Sequence, residues 1–369
     1  MTVREVQEIM EAWAPPDIAW ERDNVGLQVG DPDSRVRGIL VSLDATETIV
    51  DEAFRRGANL IITHHPLLFR PLHSVTPGGA EARCVMALVK KRIALFSAHT
   101  NLDFARGGTS FALADTLGLL RQDFLRRMHG QSTKIVTFVP ATHVDAVALA
   151  MSRAGAGIIG NYDQCSFRTE GTGTFRGSQA SNPVSGSKGR LERVREVRLE
   201  MIAPRRAVRE IVQAIRTTHP YEEVAYDLHP LDNVGMDFGM GVIGELRRPV
   251  RLSSFIGIIR RALGTGAPRF TGNTRASVRR VAVCGGSGGD MLDDAIAARA
   301  DAFITADIKY HSFHQASGRI ALVDAGHYET EYPVVRAVVE RLRRECSTRG
   351  LRVAVRKAKS TNPMKYGLI

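Results

Sequence analysis

Short apolar runs alternate with amphipathic stretches over the first third of the chain. The opening "MTVREVQEIMEAWAPP" reads as an amphipathic helix. "VRGILVSLD" at 36–44 then predicts a strand, residues 45–57 a helix, and "NLIIT" a second strand, which together make a βαβ unit. A helix near "EARCVMALVKK" and a third strand in "RIALFSAHT" extend it into a parallel sheet covered by helices. The order returns near the C-terminus as "RRVAVCGG", "MLDDAIAARA", "DAFIT" and "RIALVDAGH". The echo extends to residues, because "ANLIITHH" aligns with "ADAFITAD" and "KRIALFSAHTNLD" with "GRIALVDAGHYET". The expected fold class is therefore α/β: a duplicated α/β core with mainly parallel sheets, its halves at 1–129 and 237–369.

Between them the pattern changes. "KIVTFVP" predicts a strand, "HVDAVALAMSRAG" a helix, "YDQCSFRTEGTGTFRG" a pair of β segments, "VREVRLEMIAP" a strand, "RRAVREIVQAIRTTH" a helix and "VAYDLHPL" a strand. This β-α-β-β-α-β order predicts an inserted ferredoxin-like α+β domain over 130–236, with the Gly/Ser-rich "GSQASNPVSGSKGR" as a loop within it.

Ligands of open α/β sheets gather outside the carboxyl ends of the strands. Three predicted strands end in metal-ligating side chains: the first set is His64 and His65, the second His99 and Asp103, and the third His327 and Glu331. Imidazole and carboxylate suit divalent zinc, manganese, iron or cobalt. Gly326 permits a tight turn, and a helix starting after it sets His327 and Glu331 on one face. Side chains of neighbouring residues in an extended stretch diverge, so His64 and His65 point to two divalent metal cations rather than one. Such ions lie about 3.5–4 Å apart when a carboxylate bridges them. His99 and His311 are candidate catalytic proton shuttles, since imidazole titrates near neutral pH. "CGGSGGDM" is a candidate phosphate cradle at a helix start, although it lacks the lysine of a P-loop.

Composition narrows the picture. Four scattered cysteines form no C-x-x-C pair, which excludes a zinc ribbon and leaves nitrogen and oxygen as ligands. No apolar run reaches the roughly 18–20 residues of a membrane helix, and no signal peptide opens the chain, so a cytoplasmic protein without a membrane partner is expected. The net charge of +11 suits nucleotides or nucleic acid, but the arginines are scattered without aromatic interleaving.

The motifs "DNVGLQVGDP", "IITHHPLLF", "AHTNLDFARGG", "THPYEEVAYDL", "GGSGGDML", "FITADIKYH" and "GHYETE" together resemble the dinuclear-metal family of GTP cyclohydrolase 1 type 2 homologues, also called Nif-three-like proteins. The resemblance runs over nearly the whole chain and is closest to the longer bacterial form, whose inserted domain is similar to nitrogen-regulatory and copper-tolerance trimers. It implies a toroidal homo-hexamer with His64, His65, Asp103, His327 and Glu331 as metal ligands. It further implies a metal-dependent hydrolase acting on a purine nucleotide or other small molecule. A ring that binds nucleic acid or a protein partner without catalysis is the alternative. The chain departs from the family pattern at "GGTSFALA" and at Ala306, which bears on the substrate pocket and not on the five ligands.

Overall fold

Thr2 accepts a hydrogen bond from the Glu5 N–H while the Glu5 carboxylate accepts from the Thr2 N–H, and this reciprocal cap starts the first helix, α1 (Val3–Trp13). Val3, Val6, Met10 and Trp13 then fall on one buried stripe. The computed structural model describes residues 1–184, 186–359 and 362–364. It divides into two units, residues 1–127 with 237–369, and residues 128–236.

In the first unit, β1 (Gly38–Ser42), β2 (Leu60–Thr63) and β3 (Ala94–Ser97) lie parallel and side by side, with every residue buried. Burial on both faces is what a helix-flanked parallel sheet imposes, and it explains the unbroken apolar runs. The antiparallel strand Gly26–Val29 closes one edge of this sheet and the parallel strand Ala354–Lys357 the other.

The unit 128–236 contains β4 (Ser132–Pro140), β5 (Phe167–Arg176), β6 (Leu191–Pro204) and β7 (Tyr226–Leu231) in the spatial order β5-β6-β4-β7, every pairing antiparallel. Its two helices, Val144–Arg153 and Val208–Thr218, bury Val147, Met151, Ile211 and Ile215 against Ile135, Val139, Leu199 and Met201. The stretch "YDQCSFRTEGTGTFRG", expected to give a pair of β segments, yields one strand instead. An unbroken ladder from Phe167↔Glu200 to Arg176↔Leu191 leaves no position for a turn, and the Gly/Ser-rich residues after Arg176 make the return.

The second half of the first unit carries β8 (Ser277–Ser287), β9 (Ala302–Ala306) and β10 (Ala321–Asp324), again parallel neighbours. An antiparallel strand flanks these three on each side, Arg269–Phe270 beside β10 and Val234–Arg251 beside β8, and Leu120–His129 forms the outer edge next to the latter. The aligned sequences pair in the same register: Leu60↔Ala94 and Thr63↔Ser97 in one half, Ala302↔Ala321 and Thr305↔Asp324 in the other. Connecting hydrogen bonds repeat as well, Ala98 N–H to Thr63 O and Ala325 N–H to Thr305 O, both 2.9 Å.

The halves exchange helices. After β3 the chain forms α2 (Thr100–Phe104) and α3 (Thr109–Thr116), and after β10 it forms α4 (His327–Glu331) and α5 (Pro333–Thr348). Phe111 and Leu113 of α3 are buried with Val281, Val283 and Ile304 of the second sheet. Val334, Val338 and Leu342 of α5 are buried with Ile39, Ile62 and Phe96 of the first. Each such side chain contributes about 1.5–3 kcal/mol through burial, so the two sheets are fastened by hydrophobic contact in both directions. Among the described residues, no helix is long and apolar enough to cross a membrane.

Candidate metal centre

Ser42, Thr63 and Ser97 are level at the carboxyl ends of β1, β2 and β3, and the Thr63 and Ser97 hydroxyls lie 2.9 Å apart. The next residues of each strand therefore leave the sheet at one edge, which brings His64, His65 and His99 together. Their ring centroids are 5.1–5.6 Å apart. From the other half, Gly326 takes φ 95° and α4 begins at His327, so His327 and Glu331 stand one turn apart. Glu331 reaches across the seam. Its carboxylate lies 2.8 Å from His65 Nε2, 3.1 Å from His327 Nε2 and 3.8 Å from His64 Nε2. Asp103 of α2 lies 3.5 Å from His64 Nε2. His99 and Asp103 repeat the four-residue spacing of His327 and Glu331 but stand one position out of step in the aligned halves, and His64 and His65 have no histidine counterpart, so the halves contribute unequally.

The imidazoles are aimed from behind. Nδ1 of His64 donates to the Ala98 carbonyl at 2.9 Å, and Nδ1 of His65 donates to Asp44 at 2.7 Å. Nδ1 of His99 donates to Asp23 at 2.9 Å, and Nδ1 of His327 to Asp307 at 2.6 Å. In each neutral ring this leaves the Nε2 lone pair facing the centre, the arrangement found around metal-ligating histidines. Burial works to raise the Asp23 carboxyl, but hydrogen bonds from His99 and Thr100 outweigh it and hold it at about 2. Gly286 has φ 64°, and a Cβ there would lie 2.1 Å from Glu331 Oε1, so only glycine lets the carboxylate sit where it does.

The donor set fits a metal ion. His64 Nε2 and Asp103 Oδ1 are buried atoms without a hydrogen-bond partner, and buried polar atoms are rarely left so. Two groups have ligand atoms within 4.8 Å of one another: His64, His65 and His99, and His65, His327 and Glu331. Residue groups in this chain are thus suited to hold a metal ion through nitrogen and oxygen.

Electrostatics couples this centre to protons. Burial disfavours charge on His65 and His64, but the Asp44, Asp103 and Glu331 carboxylates outweigh it. They push His65 up to about 10 and raise His64 as well. His327 is raised to about 9, chiefly by its hydrogen bond to Glu331. Burial works to raise Glu331, and the three imidazoles override it, holding the carboxyl well below its usual range. A metal takes only neutral imidazole, so loading at pH 7.5 is expected to release about two protons per chain. Calorimetry in buffers of different ionisation enthalpy measures this, and loading without proton release would contradict it. In the metal-free chain the raised histidine values contribute stability that is complete below about pH 6.5 and lost as pH rises through 9 to 10.

The structure brings six of the seven expected site residues together, His64, His65, His99, Asp103, His327 and Glu331. His311 is not among them: it is exposed on the short helix Tyr310–Ala316, its ring against Tyr310, because that helix points its first turn to solvent. His99, expected as a shuttle, occupies a ligand-like position. The glycine-rich 285–289 stretch, a candidate phosphate cradle, is a tight turn whose amides are engaged within the fold. The Gly285, Gly286 and Gly288 N–H groups donate to Ser110, Thr330 and Thr305 hydroxyls at 2.9–3.2 Å, so the loop braces the centre.

Asp23, Asp44 and Asp307 were not foreseen. Asp44 and Asp307 follow strand ends, so the rule that found the histidines also reaches them. Asp307→Asn is expected to weaken divalent-metal affinity about 10- to 100-fold while leaving the fold intact. Competition with a chromophoric chelator reads this out, and unchanged affinity would remove Asp307 from the centre.

Fold and site define an α/β protein in which two similar halves bring together histidine and carboxylate groups suited to a metal ion. A family model described as Duf34/NIF3 (NGG1p interacting factor 3) matches residues 1–363. The chain belongs to the DUF34/NIF3 family. It is 40% identical over 324 residues, 87% of each chain, to the GTP cyclohydrolase 1 type 2 homolog of Halalkalibacterium halodurans. It is 33% identical over 367 residues, 98% of each chain, to the protein so named in Bacillus subtilis. Its fold superposes on the crystal structure of a Bacillus cereus protein related to NIF3 with a TM-score of 0.85, 39% identity and 99% of each chain covered.

Proposed function

We propose that the protein is a dinuclear metal-dependent hydrolase that acts on a purine nucleotide in the cytoplasm. The observation that carries this reading is the convergence of two unpartnered buried ligand atoms, from His64 and Asp103, beside the Glu331 carboxylate on one edge shared by both halves. His65 can serve only one ion, because its Nδ1 is bound to Asp44, and the two groups together leave His64 and His327 to serve different neighbouring ions. His64, His65, Asp103, His327 and Glu331 would hold the ions. Bound divalent ions supply acidified water and neutralise developing negative charge. His99, held by Asp23, would move a proton at Nε2.

The β-α-β-β-α-β order and the spatial order β5-β6-β4-β7 support a ferredoxin-like reading of the unit 128–236. Assembly as a homo-hexamer is part of the same proposal. A net charge of +11 favours a second reading, a ring that binds nucleic acid without turnover.

Metal-loaded protein incubated with GTP, with products followed by chromatography, tests the first reading. Turnover that requires metal supports it. Absence of turnover, with single-stranded DNA binding that falls steeply with salt, would replace it with the second.

A further inference from the structure

The centre opens into a cleft of about 360 Å³, at the small end of ligand sites and too small for an extended polymer. One wall is aromatic. Trp20, Phe69 and Phe104 line it beside His99, and Trp20 and Phe69 are 57% and 52% exposed, so large aromatic surface stands open next to the imidazoles. The Trp20 backbone is anchored there: its main-chain N–H donates to the Thr100 hydroxyl at 3.0 Å, and Thr100 is itself bound to Asp23, the residue that aims His99. Its ring meets Phe104 edge-on at 5.9 Å. Phe69 meets the His99 ring edge-on at 6.3 Å. Edge contacts of this kind leave ring surface available for stacking.

Provision for phosphate is missing from the same walls. Neither lysine nor arginine is among the described residues that line the cleft, and the three glycine amides of the 285–288 turn are spent on hydroxyls. A triphosphate would therefore find no guanidinium, ammonium or free backbone cradle in these walls, and its charge would be left to bound metal, whose open positions the hydrolase reading gives to water.

We infer that the cleft selects its substrate by stacking an uncharged aromatic heterocycle, of nucleobase or nucleoside size, against Trp20 and Phe69, and that phosphate groups add little to recognition. This rests on the hydrolase reading only in placing the ring beside the imidazole cluster. Trp20 and Phe69 are specificity-determining residues in this scheme.

Trp20 is also the reporter, because the chain's other tryptophan, Trp13, is buried. Guanosine, GTP and ribose 5-phosphate are titrated into the full-length metal-loaded protein while tryptophan emission is followed. Guanosine and GTP are expected to quench it with dissociation constants within about threefold of each other, and ribose 5-phosphate to leave it unchanged. Phe69→Ala is expected to weaken guanosine about tenfold, and calorimetry of Trp20→Ala to show a similar loss that Trp20→Phe restores. Metal content should stay unchanged in all three variants, which separates stacking from damage to the centre. No quenching by guanosine would overturn the inference. GTP binding more than about tenfold tighter than guanosine, with salt dependence, would also overturn it by showing phosphate recognition. Quenching without metal-dependent turnover would sink the hydrolase reading and leave this one standing.

Discussion

Glu331→Ala is expected to empty the metal centre, with content falling from at least about one ion per chain to below about 0.2. Glu331 is the one described side chain whose carboxylate lies within 4 Å of three imidazoles, and it is buried. Its removal leaves His327 on one side of the seam and His64 and His65 on the other, with nothing spanning them. The metal-free chain should also lose stability at neutral pH. Deleting one partner of a buried ion pair costs about 3–5 kcal/mol when the other charge stays put. Here the imidazoles escape part of that cost by giving up protons, so a smaller loss is expected, together with histidine titration shifted back toward 6.5. Elemental analysis and proton NMR of the imidazoles measure the two effects. A variant that keeps its full metal content would show that the carboxylate is not a ligand.

The second large effect is steric. Gly108→Ala is expected to destabilise the fold by about 3 kcal/mol, read from the urea midpoint. A Cβ at this position would lie 1.8 Å from the Leu102 carbonyl oxygen and 3.0 Å from that of Ala105. Those are backbone atoms of α2 and of the residue that ends it, and they cannot swing aside. The methyl group would push α2, which carries Asp103, away from α3, so metal affinity should fall along with stability. Gly78→Ala is the control, because no atom lies within 4 Å of its Cβ position and its φ is not positive. Equal midpoints for the two variants would contradict the steric account.

Much of the centre was legible in the sequence because its signals are local. An apolar run names a parallel strand, a polar residue after it marks the carboxyl end, and His327 and Glu331 needed only the helix that Gly326 permits. The repeated Arg-Ile-Ala-Leu likewise marked strands that pair in identical register. What stayed hidden depends on distant partners. Nothing near Asp23 announces that it aims His99, 76 residues further on. The glycine-rich turn resembled an anion cradle because the hydroxyls that occupy its amides lie 17 to 175 residues away. His311 sits in a motif that looks like its neighbours, and only the direction of its short helix removes it from the centre. The exchange of α3 and α5 left no trace either, since a buried apolar stripe does not say which sheet it will meet.

That exchange has a consequence for continuity of the chain. Because α3 is held by the second sheet and α5 by the first, covalent linkage through residues 128–236 is not what keeps the halves together. A polypeptide cut within the Gly/Ser-rich stretch after Arg176 would remain one particle, clasped by its own crossed helices, and would still present all six residues of the centre at the seam.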